Sequence, residues 1–113
     1  MNVLAAVLLA STSLHITIRP DENVLRATSY TLRCNPVGGT LPRRAAACRR
    51  LAQLKAPFAG VPKNVACTEI YGGPQKAVVV GRFRGRLVRA TFNRRDGCEI
   101  DRWNRVAFLF PAA

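Results

Sequence analysis

The residues of this chain that could do chemistry are four cysteines and one isolated carboxylate. The stretch NVACTEIYGGPQKAV, residues 64–78, holds Cys67 and, two places on, Glu69. Glu69 is the one acidic residue between Glu22 and Asp96, an interval with fifteen of the eighteen Lys and Arg residues. A carboxylate so placed can serve as an acid, as a base, or as a side chain offered to a partner's pocket. The residue types argue against an enzyme. One histidine and six scattered acids supply no nucleophile–base pair and no carboxylate pair at useful spacing. The cysteines read Cys34–x13–Cys48 and Cys67–x30–Cys98, with no C-x-x-C pair and only His15 to join them, so the tight ligand spacing of a zinc site is missing. No metal and no cofactor are expected. An even cysteine count in a short chain points instead to two disulfides. Disulfides imply an oxidising compartment, and the expected location is secreted and extracellular.

The net charge of +12 attracts anions such as nucleic acid, envelope polymers or acidic proteins. Arginine exceeds lysine fifteen to three, which fits the codon bias of a GC-rich genome as well as it fits recognition. The hairpin GRFRGRLVRA sets Arg82, Arg84, Arg86 and Arg89 around Phe83, a basic patch with an aromatic. The same alternation describes a solvated strand face, which is the preferred reading. A cationic secreted binding protein for nucleic acid or envelope polymers is therefore the alternative function. Polyanion binding falls steeply with salt, which separates it from docking into a cleft. No specific nucleic acid and no membrane are expected as partners. The apolar run at residues 3–10 is too short to span a bilayer. With small residues after it and no Lys or Arg before it, the stretch 1–12 reads as a weak or truncated signal segment, and 13–113 as a single domain.

The elements that must position these residues follow from periodicity. LHITI (14–18) sets Leu14, Ile16 and Ile18 against His15 and Thr17, the alternation of a half-buried strand. SYTLRC (29–34) alternates likewise. KAVVVGRF (76–83) is β-branched, RGR turns the chain at Gly85, and RLVRATF (86–92) returns with Val88, Ala90 and Phe92 on one face. NRVAFLF (104–110), with Val106, Phe108 and Phe110 on one face, reads as a fifth strand. RRAAACRRLAQLKA is rich in helix formers, with Thr40 as cap and Pro42 in the first turn, and predicts a helix over about 42–55. Cys48, Leu51 and Ala52 share its inner face. The expected fold is α+β: a five-stranded antiparallel sheet with one main helix on one face and two disulfides. Four cysteines allow three pairings, and the inward aspect of Cys48 favours Cys34–Cys48 with Cys67–Cys98. Such rings contribute about 3 and nearly 4 kcal/mol in the chain-entropy account.

CTEIYGGP admits no helix, because Gly72, Gly73 and Pro74 break one. It reads as an extended segment clamped by a disulfide, the shape a protease accepts in its cleft. Four stretches in order carry a resemblance over about residues 14–110. TLRCNPVGGTLP…AAAC, CTEIYGGP, GRFRGRLV and CEIDRW…VAFLF resemble the Streptomyces subtilisin inhibitor family of secreted serine protease inhibitors. The resemblance implies Glu69–Ile70 as the reactive bond, with Ala66, Cys67, Thr68, Glu69, Ile70 and Tyr71 as the protease-binding loop. Glu69 would enter the protease's primary specificity pocket, where the family usually offers Met, Lys or Arg. The implied disulfides are again Cys34–Cys48 and Cys67–Cys98. The implied partners are a serine endopeptidase, subtilisin-like or glutamate-preferring, and a second copy of the chain in a homodimer formed through the sheets. Three departures stand out. The loop exit YGGPQ is one residue longer, and the added glycine is expected to loosen it. Phe83 replaces a buried tryptophan. His15 falls on the strand of the dimer face; the preferred reading is a neutral, partly exposed strand histidine, the alternative a charged one that would repel its symmetry mate in acid.

Overall fold

Alternation of apolar residues builds the sheet. The structure, a computed structural model, describes residues 11–21 and 23–111; the apolar run at 3–10 lies outside them. Strand β1 (Thr12–Arg19) is central, flanked by β2 (Thr28–Cys34) and β4 (Lys76–Phe83). The two-residue β3 (Gly38–Gly39) and β5 (Arg86–Phe92) form the edges, giving the order β3-β2-β1-β4-β5, antiparallel throughout. Thr12, at the end of the stretch read as a leader, is buried, and its hydroxyl accepts a hydrogen bond from the Arg84 N–H at 3.2 Å. Arg84 and Gly85 turn the β4–β5 hairpin, both with positive φ, as a two-residue turn between right-twisted strands requires.

Register places the apolar sets on one face. Leu14 faces Leu32 on one side and Gly81 on the other, Ile16 faces Val79, and Ala77 faces Phe92. Both helices cover that inner face. Helix α1 (Arg44–Gln53) packs beside β2 and β3 and buries Ala47 and Leu51; helix α2 (Gly97–Arg105) lies beside β5 and buries Trp103. The Cys34–Cys48 disulfide, with Cα atoms 5.7 Å apart, joins the end of β2 to α1. The outer face is bare among the described residues and strongly basic. Arg33 and Arg82 flank Ser13 in one row, Arg19 stands opposite Lys76, and Arg89 lies one strand further out, with no acid among them.

Three expectations need correction. NRVAFLF is not a strand: Asn104 and Arg105 end α2, and Ala107–Leu109 form a 3-10 turn. Val106, Leu109 and Phe110 are buried, so this segment fills the core with helical rather than alternating geometry. The fifth strand comes instead from the Gly-Gly of the loop after β2, which pairs with Leu32 and Arg33. Helix α1 is shorter than 42–55, and neither Thr40 nor Pro42 starts it. Arg43 stands at its N-terminus in the left-handed region, without a side-chain cap. The Thr40 hydroxyl is already used by the Thr31 N–H, at 2.9 Å. Ala47, one turn before Leu51, takes the inner position assigned to Ala52, which is exposed.

Candidate functional site

Between Leu54 and Gln75 the chain forms no helix and no strand. Connections this long without regular structure are uncommon in compact domains and tend to carry function. The first half is tied to the scaffold at three points. The Arg84 guanidinium donates to the carbonyls of Leu51, Ala52 and Leu54 at 3.2–3.3 Å, capping the C-terminus of α1 where the loop leaves it. Phe58 meets Phe83 edge to face, ring centroids 5.3 Å apart. Arg102 donates to the Ala59 carbonyl at 2.9 Å and the Thr91 carbonyl at 3.1 Å. Arg102 also pairs with Glu99 at 2.9 Å and lies 4.5 Å over the Phe92 ring.

The second half rises into an exposed arch with both feet on one short segment. On the upstream side, the Cys67–Cys98 disulfide brings the Cα atoms to 5.3 Å, and the Gly97 N–H donates to the Thr68 carbonyl at 2.8 Å. On the downstream side, the Gly72 N–H donates to the Arg94 carbonyl at 2.7 Å, and the Arg94 Nε–H donates back to the Gly72 carbonyl at 3.2 Å. Residues 94–98 thus hold both ends. The segment is itself stiff, because the Asp96 carboxylate caps α2 by accepting from the Glu99 N–H at 2.9 Å. The foot is close-fitted at Gly72: an added Cβ would lie 2.8 Å from Ile100 Cδ1 and 3.2 Å from Arg94 Cβ, so the Ile100 side chain would have to shift.

Between the feet stand Glu69, Ile70 and Tyr71. The Ile70 N–H donates to the Thr68 carbonyl at 2.9 Å, a three-residue turn centred on Glu69. The Glu69 carboxylate is exposed, with no ion pair or hydrogen bond among the described residues. Ile70 and Tyr71 are 54% and 69% exposed, two large apolar side chains in sequence facing water. Adjacent exposed apolar groups beside a free carboxylate form a contact surface in search of a partner.

The sequence-predicted loop residues are therefore gathered in one place. Thr68, Glu69, Ile70 and Tyr71 span the arch, Cys67 is its upstream foot, and Ala66 is exposed just before it. The side chains of Cys67, Asp96 and Cys98 cluster within 4.8 Å, but bridged sulfurs offer no thiolate to a metal. At the loop exit, where the added glycine was expected to loosen the chain, Gly72 is bonded to Arg94 through both its N–H and its C=O. Phe83 fills its place against Phe58. Sequence reasoning missed Arg84, Arg94, Gly97 and Arg102, because arginines contacting carbonyls leave no periodic trace. One signal was readable for the 94–98 segment: Asp96 followed by Glu99 is the signature of a capped helix start.

Comparison with known proteins accords with this geometry. The subtilisin inhibitor-like family model matches residues 10–94. A protein named subtilisin inhibitor from Streptomyces violaceus is 35% identical over 100 residues, covering 82% of this chain and 68% of the relative. Among solved structures, Streptomyces caespitosus sermetstatin, determined in complex with Bacillus licheniformis subtilisin, shares the fold. It superposes with a TM-score of 0.54 at 21% identity, over 91% of this chain and 99% of that one. A matched family pattern over most of the sheet and loop, together with a relative at this identity, leads to one conclusion: the chain belongs to the subtilisin inhibitor-like family.

Proposed function

We propose that this protein inhibits serine endopeptidases by presenting residues 66–71 as a substrate-like segment, with Glu69–Ile70 as the bond held against the catalytic serine. The observation that carries the reading is the exposed arch 69–71 standing on two feet, both fixed to residues 94–98. A preorganised loop loses little conformational entropy on docking, so a patch of about 800 Å² per partner can bind tightly. Backbone groups on either side of Glu69 pair with the cleft of the protease in strand-like fashion. Sermetstatin, which shares the fold, was solved with subtilisin, and this supports a subtilisin-like partner. The two disulfides and the inhibitor family support secretion. Among the described residues no helix is long and apolar enough to cross a membrane.

Glu69 sets the specificity. A pocket lined by polar or basic groups accepts a carboxylate, whereas a pocket with an acid at its base rejects it by several kcal/mol. A large apolar pocket takes it weakly, since desolvating an unpaired ion is costly. Glutamate-preferring endopeptidases come first, and subtilisin-like enzymes second with reduced affinity. The test is a panel of Glu-, Arg- and Phe-preferring serine proteases, followed by mapping of any nick. The expected result is inhibition with a single slow cut between Glu69 and Ile70. Inhibition without that cut site, or through another segment, would remove the assignment. Glu69→Lys should redirect inhibition to trypsin-like enzymes.

A homodimer through the outer sheet face belongs to the same proposal. Pairing would stack the cations Arg19, Arg33, Lys76, Arg82 and Arg89 against a second set. Association should therefore strengthen as salt screens them.

A further inference from the structure

We infer that Arg94 is a positioning residue that keeps the cut loop ready to be resealed. This inference rests on the reading of Glu69–Ile70 as the reactive bond. When the protease serine Oγ attacks the Glu69 carbonyl carbon, the bond to the Ile70 nitrogen breaks. That nitrogen takes a proton and leaves as an amine, and Glu69 remains as an ester on the serine. Two reactions then compete. The amine can attack the ester, restoring the peptide bond and returning the proton to the serine oxygen. Alternatively, water attacks, leaving a Glu69 carboxylate and a free serine. The outcome depends on how closely the amine is kept to the ester.

Arg94 decides that distance. Gly72 is two residues beyond Ile70 and is held by both its N–H and its C=O to Arg94, at 2.7 Å and 3.2 Å. The guanidinium is itself held, by Asn104 Oδ1 at 3.3 Å and by the Trp103 ring 5.7 Å beneath it. Two residues reach at most about 7 Å, so the freed amine samples a small sphere and has an effective concentration of about 1 M. Without the clasp, the first fixed point downstream is β4 at Lys76. Six residues reach about 20 Å, and the effective concentration falls roughly twentyfold. The upstream half stays put in either case, through Cys67–Cys98 and the Gly97–Thr68 bond. The clasp therefore acts on cleavage and resealing more than on docking.

The test uses the full chain with subtilisin and with a glutamate-preferring serine endopeptidase. Arg94→Ala removes the guanidinium bond and leaves the main-chain one. Gly72→Ala attacks the clasp from the other side, through its clash with Ile100 and Arg94. Gly72→Ala should be nicked at 69–70 about tenfold faster under saturating protease, and Arg94→Ala, which keeps the main-chain bond, about threefold faster, both with a lower ratio of intact to nicked protein at equilibrium. The inhibition constant should rise as well, because the arch loses part of a foot, but by a smaller factor than the nicking rate, and Arg94→Lys should recover part of both differences. Nicking at the parental rate with the parental intact-to-nicked ratio, in both variants, would overturn the role of Arg94 while leaving the inhibitor reading in place. Parallel losses of inhibition and melting temperature, without faster nicking, would reduce Arg94 to a structural residue and overturn it equally. A parent protein that inhibits neither protease would bring down both readings.

Discussion

The two disulfides do different work because they join different kinds of structure. Cys34–Cys48 ties the end of β2 to α1, two regular elements that already share Leu32, Ala47 and Leu51 in the core. Cys67–Cys98 ties a segment with no regular structure to the first turn of α2. Around the first bridge, burial would hold the elements together without sulfur. Around the second there is almost no apolar burial: Val65, Ile70 and Tyr71 face water, and the loop is held by the bridge and a few polar contacts. On the proposed reading, a loop that presents its side chains to a protease cannot use them for its own anchorage. Its order has to come from covalent and main-chain ties.

Breaking each bridge tests this contrast. The largest effect is expected from Cys67→Ser/Cys98→Ser, which should raise the inhibition constant at least about a hundredfold at temperatures where the sheet remains folded, because the arch loses a foot and pays its ordering entropy on docking. Cys34→Ser/Cys48→Ser should cost a similar amount of stability, about 3 kcal/mol against nearly 4, yet leave inhibition by the folded fraction unchanged. Urea titrations paired with inhibition assays read both, and equal losses of inhibition would erase the distinction. Leu32→Ala, at a site with no solvent exposure, sharpens it from the scaffold side. It should lose about 2–5 kcal/mol of unfolding free energy with no change in which bond is cut. The smallest effect is expected for Arg84→Ala. Losing the cap on α1 should cost about 1 kcal/mol and raise protease nicking near residues 54–58, away from the arch. Salt gives a separate handle on the outer face. The dimer fraction in sedimentation should rise with ionic strength, and a fall would mean that the basic face meets something acidic.

Much of the scaffold was legible locally. Leu14, Ile16 and Ile18 alternate with polar neighbours, and a period of two admits a single assignment to the buried face. The Cys34–Cys48 pairing followed from the same reasoning, since the inner faces of β2 and α1 were both readable. The C-terminal stretch misled because it satisfies two periods at once. Val106, Phe108 and Phe110 alternate, while Trp103, Val106 and Phe110 recur at helical spacing. Asp96 and Glu99 break the tie toward helix, through a cap that periodicity ignores. The edge strand Gly38–Gly39 carried no apolar signal at all, because two glycines have no side chains to alternate.

By itself, the amino-acid sequence determined which residues are buried in the sheet, which cysteines could meet, and where an unhelical, glycine-bounded carboxylate would be displayed. These are properties of neighbours along the chain, within reach of one period or one turn. Only the tertiary structure decided that Thr68 and Gly72 stand on the same few residues, that Arg94 closes the downstream foot, and that Arg84 and Arg102 point to carbonyls. Such contacts join groups some twenty to forty residues apart, and a guanidinium looks the same in sequence whether it faces water or a carbonyl.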